Sequence, residues 1–242
     1  SGPSVRDHVP RGTWSFLYHL PPMPFPLPPL SRDELARKIS GFSPELLDDR
    51  ALDALHAHYQ ELSVWNRRLS LIGPGTLNEV LERHYGESLA ALPLIPEDAR
   101  SGLRIGLDIG SGAGFPGLVL AAARPGLEMT LVEARERKWA FLSAASRKAA
   151  LPCRCLNARV SVPLPAGLPA SLDVVTARAL KLEPDVLGAL AERLGPEGRI
   201  LLWVGEESPA LPATLAPGRS VRIPGSQRRR ILELRRTEPE AG

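Results

Sequence analysis

The chain has 242 residues, 43% of them hydrophobic, which allows one domain of about 150–200 residues plus an extension. No run approaches the ~18 apolar residues of a membrane span, and no charged start followed by an apolar core marks a signal peptide. Two cysteines, Cys153 and Cys155, offer too few ligands for a zinc site and read as reduced packing residues of a cytoplasmic protein.

In chain order, residues 1–30 form a Pro-rich, flexible extension whose run 20–30 (LPPMPFPLPPL) is expected to be extended rather than packed. Residues 31–100 read as a helical cap. Ser31 and Glu34 have the spacing of a capping box, and Ser43-Pro44-Glu45 reads as a second helix start. Leu52, Leu55, His56, Tyr59, Leu62, Val64 and Trp65 then mark one face of a longer helix. Residues 101–242 carry an alternating strand and helix pattern, the sign of a parallel sheet with helices on both faces.

The most informative stretch is 105–117 (IGLDIGSGAGFPG). Ile105–Ile109 is a short apolar run of the kind found in buried parallel strands. Gly110, Gly112 and Gly114 follow at alternate positions, where the backbone turns sharply and a ligand meets no Cβ. Leu118–Ala123 reads as helix, so the loop joins a strand's C-terminal end to a helix start, an edge where open α/β sheets bind ligands. The spacing is not that of a phosphate loop, and Pro116 removes an amide that a phosphate would use. Asp108 suits a ligand carrying an amine or a sulfonium. Asp-x-Gly-x-Gly-x-Gly resembles motif I of the S-adenosylmethionine (SAM) methyltransferases.

Met129–Glu133 is a second apolar run that ends in a carboxylate 25 residues after Asp108, placed to accept hydrogen bonds from ribose hydroxyls. A helix over Arg135–Ala149 follows. Cys153–Asn157, Leu172–Ala177 and Arg199–Val204 read as further strands, and Val221–Pro224 with Arg230–Leu234 as an antiparallel pair. The loop Asn157–Ser161 is placed to meet an adenine edge. Arg178 leaves the fourth strand at the same carboxyl edge as the glycines. There it either holds a carboxylate or phosphate or closes over the cofactor.

The positive charge is modest, +3 overall, but it clusters as Arg67-Arg68, Arg83-His84, Arg228-Arg229-Arg230 and Arg235-Arg236. Arginine gives bidentate phosphate contacts and stacks on bases, so together the clusters point to nucleic acid.

Several motifs lie in order: Trp65-Asn-Arg-Arg-Leu69, Arg83-His84-x-x-Glu87-Ser88, the glycine string 108–117 and Ala177-Arg178-Ala179. Over residues 45–235 the chain resembles the bacterial 16S ribosomal RNA methyltransferase G family (RsmG, also called GidB). It departs from that family's usual pattern at Leu69-Ser70-Leu71, Glu87, Ala177 and Trp203-Val204. The resemblance implies a Rossmann-like class I SAM-dependent methyltransferase with a mostly parallel seven-stranded sheet. It implies transfer of methyl from SAM to N7 of a guanine in 16S rRNA, met free or in the 30S subunit or an assembly intermediate. Gly110, Phe115, Val160, Ser161 and Arg178 would then be SAM contacts, beside Asp108, Gly112, Gly114 and Glu133 from the loop reading. Arg67, Arg68, Arg83 and His84 would lie on the RNA side, joined by Arg228, Arg229 and Arg230.

Guanine N7 already carries an in-plane lone pair, so no general base is expected. His84 and Arg178 are candidates for positioning the base through O6 or a nearby phosphate. No metal and no membrane partner are expected, and the expected state is a monomer. Rival readings are a SAM methyltransferase acting on another RNA or a small molecule, and a SAM-sensing RNA-binding protein without turnover.

Overall fold

A computed structural model describes residues 26–95 and 104–237. The Pro-rich residues before 26 and the expected boundary near residue 100 lie outside the described residues.

The described chain opens on residues 26–30, which are packed rather than free. Leu27 is buried, and Tyr59 donates to the Pro28 carbonyl at 2.6 Å. Helix α1 (Arg32–Ser40) starts with the expected capping box: the Ser31 hydroxyl meets the Glu34 amide, and the Glu34 carboxylate returns to the Ser31 amide. The second helix start is displaced. Ser43 and Pro44 stay irregular, and α2 (Asp49–Leu69) is capped by Asp48 instead. The reason is tertiary, because Glu45 is drawn away into a bidentate pair with Arg124, at 2.5 and 2.7 Å.

The buried face of α2 comprises Ala51, Ala54, Leu55, His58, Tyr59, Leu62 and Asn66, whereas Val64 is exposed. A π-helical turn (Leu81–Gly86) and a short helix α3 (Glu87–Leu89) follow. Then comes the alternating part: β1 (Arg104–Ile109), α4 (Gly117–Ala123), β2 (Leu127–Glu133), α5 (Glu136–Lys148), β3 (Cys153–Asn157), β4 (Leu172–Arg178), α6 (Pro184–Ala191), β5 (Leu194–Val204), β6 (Leu215–Arg222) and β7 (Arg230–Arg236).

The seven strands form one sheet in the order β3-β2-β1-β4-β5-β7-β6, parallel from β3 to β5 and closed by the antiparallel β7 and β6. The expected fold class is thus the observed one. Strand β6 starts six residues before the expected Val221. The added residues include Pro217 and Gly218, which an edge strand tolerates at a bulge, and the pairing slips between Pro217 and Ser220.

Side chains alternate across the sheet. On β4, Val174 joins the core formed with α4, α5 and the N-terminal helices, while Val175 and Ala177 join the core under α6. The N-terminal helices and α4–α5 share one continuous apolar core. The chain runs outward from β1 to β3, then crosses back to β4 on the other side of β1. That reversal leaves a crevice at the carboxyl ends of β1 and β4.

Candidate functional site

A cavity of about 560 Å³ opens at this crevice, within the range of small-molecule sites. Gly110 and Gly112 form its floor, with φ of 72° and 55°. Residues with a Cβ rarely hold that backbone, so glycine here keeps the turn tight and the amides bare. Val132 and Glu133 wall one side and Ala158 to Val160 another, with Arg178 to Glu183 across the mouth.

The cofactor candidates divide by position. Gly110, Gly112, Phe115, Glu133, Val160 and Arg178 all line the cavity. Asp108, Gly114 and Ser161 do not. The Asp108 carboxylate is fully buried, accepting from the Thr176 hydroxyl at 2.6 Å and the Gly117 amide at 3.2 Å. Burial pushes its pKa up, against the pull of those donors. It orders the loop from within rather than facing an amine or sulfonium. Gly114 turns toward the helical side, where a Cβ would sit 3.1 Å from His58 Nε2. Ser161 is exposed beyond Val160.

Glu133 is almost wholly buried, and its oxygens accept from the Gly112 amide at 3.0 Å and the Arg135 amide at 2.8 Å. A carboxylate has about four lone-pair sites, so Glu133 can hold the glycine loop and still accept from a ligand hydroxyl.

The helical region reaches the glycine loop through His58, which the sequence reading did not single out. Its Nε2 donates to the Ala113 carbonyl at 2.9 Å, and the Tyr85 hydroxyl donates to its Nδ1 at 2.8 Å. Phe115 sits among His58, His84 and Tyr85, with ring centroids 5.2, 5.1 and 5.0 Å away.

Burial lowers the His58 pKa from 6.5 to about 4, although the Ala113 carbonyl favours the charged ring. A histidine lowered on folding stabilises the protein above its unfolded pKa, and that stability is lost as pH falls from 6.5 toward 4. The contribution at neutral pH is on the order of 3 kcal/mol. Calorimetric melting is therefore expected to show Tm falling across this window. His58→Gln, which cannot titrate, should flatten that fall.

His84 lines the cavity, but both ring nitrogens already have protein partners. Thr76 Oγ1 lies 3.1 Å from Nε2 and Arg178 Nη2 lies 3.4 Å from Nδ1. Burial first, then the Arg178 and Arg83 guanidiniums, lower its pKa to about 3, so the ring is neutral. A hydrogen bond from His84 to guanine O6 or a phosphate requires one of these contacts to be exchanged.

The expected RNA-side arginines separate as well. Arg67 and Arg68 are exposed at the end of α2. Arg228 pairs with Glu206 at 3.2 Å, and Arg230 braces the Gly205 carbonyl and the Ser208 hydroxyl, both at 3.0 Å. Arg83 and Arg229 instead meet at Glu87, together with Arg178. Glu87 is the residue the sequence reading passed over as a mere replacement within a motif. Among the described residues no group of three or more His, Cys, Asp or Glu side chains could hold a metal ion, and no helix is long and apolar enough to cross a membrane.

The sheet order and the glycine-floored crevice define a class I SAM-dependent methyltransferase fold. Magnesium protoporphyrin IX methyltransferase from Synechocystis PCC 6803, solved with bound SAM, has a similar structure. Its TM-score is 0.51 at 15% identity, covering 81% of this chain and 100% of that one. Residues 51–210 match the family model for rRNA small subunit methyltransferase G, and the chain belongs to that family. Among its relatives, ribosomal RNA small subunit methyltransferase G of Paramagnetospirillum magneticum is 39% identical over 174 residues, covering 72% of this chain and 77% of that protein. The one of Methylorubrum populi is 39% identical over 153 residues, covering 62% and 69%.

Proposed function

We propose that this chain methylates N7 of a guanine in small-subunit ribosomal RNA, with SAM bound in the crevice beside β1 and β4. The observation that carries this reading is the placement of a glycine-floored cavity directly beside an arginine-rich rim. The cavity suits a nucleoside-bearing cofactor and the rim suits its polynucleotide substrate.

Gly110 and Gly112 would let the cofactor approach the backbone, and Glu133 would accept its ribose hydroxyls. The Ala158–Val160 backbone would meet its adenine. When bound, SAM supplies a methyl group activated by a sulfonium. The protein's work is alignment. Guanine N7 needs no deprotonation, and holding nucleophile and donor in line is worth about 7–11 kcal/mol. Phe115, Leu180 and Val160 would exclude water and strengthen the local electrostatics as positive charge moves to the base.

The test is transfer from radiolabelled SAM to 30S subunits and to naked 16S rRNA lacking the modification, with the product mapped by chain cleavage at 7-methylguanosine. The expected result is one labelled guanine per rRNA molecule. SAM binding without transfer to either substrate overturns the reading in favour of a non-catalytic sensor. Transfer to another base or to a small molecule overturns the assigned substrate.

A further inference from the structure

Glu87 is only 2% exposed, yet three guanidinium groups converge on its carboxylate. Arg229 approaches to 2.7 Å, and Arg83 and Arg178 to 3.1 Å each. They arrive from separate parts of the chain: the π-helical turn, the end of β4 and the loop 223–229. Trp203 Nε1 donates to the Glu87 carbonyl at 3.0 Å and fixes the backbone there.

One carboxylate against three guanidiniums leaves two positive charges in excess. Among the described residues no other carboxylate lies within ion-pairing range of these arginines. The donors are also incompletely used. Arg229 spends Nη1 on Glu87, and its Nε and Nη2 have no protein acceptor among the described residues. The Arg83 Nη groups likewise have none there. The side chains of Arg83 and Arg229 are 39% and 32% exposed, so these donors reach solvent.

Position narrows which anion this excess positive charge would take. Arg178 and His84 line the cavity, whereas Arg83 and Arg229 stand outside its wall. A carboxylate belonging to a ligand wholly inside the cavity would meet Arg178 alone. A phosphate attached to a nucleotide whose base enters the cavity would sit at the rim and meet the others. Guanidinium forks match phosphate oxygens in pairs.

We propose that the Glu87-centred arginines form a phosphate site that holds the RNA backbone next to the base entering the cavity. In this site Glu87 orients the three forks rather than neutralising them. The inference rests on the methyltransferase reading above.

The experiment measures binding of full-length protein to naked 16S rRNA across about 50–200 mM salt. Wild type is compared with Arg229→Ala, Arg229→Lys and Arg236→Ala. Arg236 is an exposed control of equal charge: the Arg235-Arg236 cluster, grouped in sequence with those that point to nucleic acid, closes β7 at the sheet edge opposite the cavity, where Arg235 pairs with Glu233 and Glu197. Arg229→Ala is expected to weaken binding several-fold at low salt and to reduce the log–log salt slope by about 0.7. Arg229→Lys should restore the slope but only part of the affinity, since an ammonium is a point charge. Arg236→Ala should leave the slope as in wild type.

Calorimetry with SAM should give the same affinity for both Arg229 variants as for wild type. An unchanged slope in Arg229→Ala overturns the phosphate site, and so does a loss of SAM affinity, which would assign the anion to the cofactor's carboxylate. If wild type transfers methyl to rRNA while the slope of Arg229→Ala is unchanged, the site alone fails. If wild type neither binds nor modifies rRNA, the underlying reading fails with it.

Discussion

Gly110→Arg is expected to abolish SAM binding while leaving the protein folded. At φ 72° any Cβ costs about 1–2 kcal/mol of backbone strain, and here it would also stand 3.3 Å from Leu180 Cδ2. The rest of an arginine side chain has nowhere to go but the cavity that Gly110 floors. It would bring a cation to the place where a sulfonium is to be bound. Isothermal titration with SAM is the direct measure, run beside Gly110→Ala. The alanine variant bears the strain without filling the cavity, so it should lose about 1–2 kcal/mol of stability yet keep most of its SAM affinity. Undiminished SAM binding by the arginine variant would remove the crevice from consideration as the cofactor site.

Glu87→Ala is expected to be the most destabilising single change at the rim, by about 3 kcal/mol. Removing one partner of a buried ion pair leaves the other charge uncompensated, at a cost of about 3–5 kcal/mol. The lower figure applies because only Arg178, with its side chain 14% exposed, is truly trapped. Arg83 and Arg229 can turn toward water. For a protein of this size the loss lowers Tm by about 6–12 °C. Glu87→Gln should lose less, because an amide oxygen still accepts from one guanidinium. Scanning calorimetry at neutral pH checks both variants, and a Glu87→Ala Tm within a degree or two of wild type would contradict a charge cluster held by this carboxylate.

Much of the nucleotide-binding half was legible in the sequence because its signals are local. The strand read at Cys153–Asn157 has the limits observed for β3. The carboxylate that closes β2, read in sequence as a ribose acceptor, lies along the cavity. Alternate glycines mean a tight, open loop wherever they occur, since the constraint lies in the backbone of the glycine itself. The face of α2 was legible only in part. Its buried side includes His58 and Asn66, polar residues that an apolar pattern passes over. Asn66 is buried because its Oδ1 accepts from the Ile72 amide at 2.7 Å, closing the loop after the helix.

By itself, the sequence determined the class of fold, the strand order's starting point in a glycine loop, and the chemistry available at each position. It did not determine which of those groups meet. Asp108 and Glu133 are both strand-end carboxylates in sequence. Packing turned the first inward onto Thr176 and Gly117, and left the second beside the cavity. Arg83, Arg178 and Arg229 lie as far as 146 residues apart and carry no shared motif. They meet because β4 ends at the topological switch beside the π-helical turn, with the β6–β7 connection folded over both. A buried carboxylate that gathers distant guanidiniums is a property of that arrangement. Electrostatic pairing depends on separation in space, and only the tertiary structure sets it.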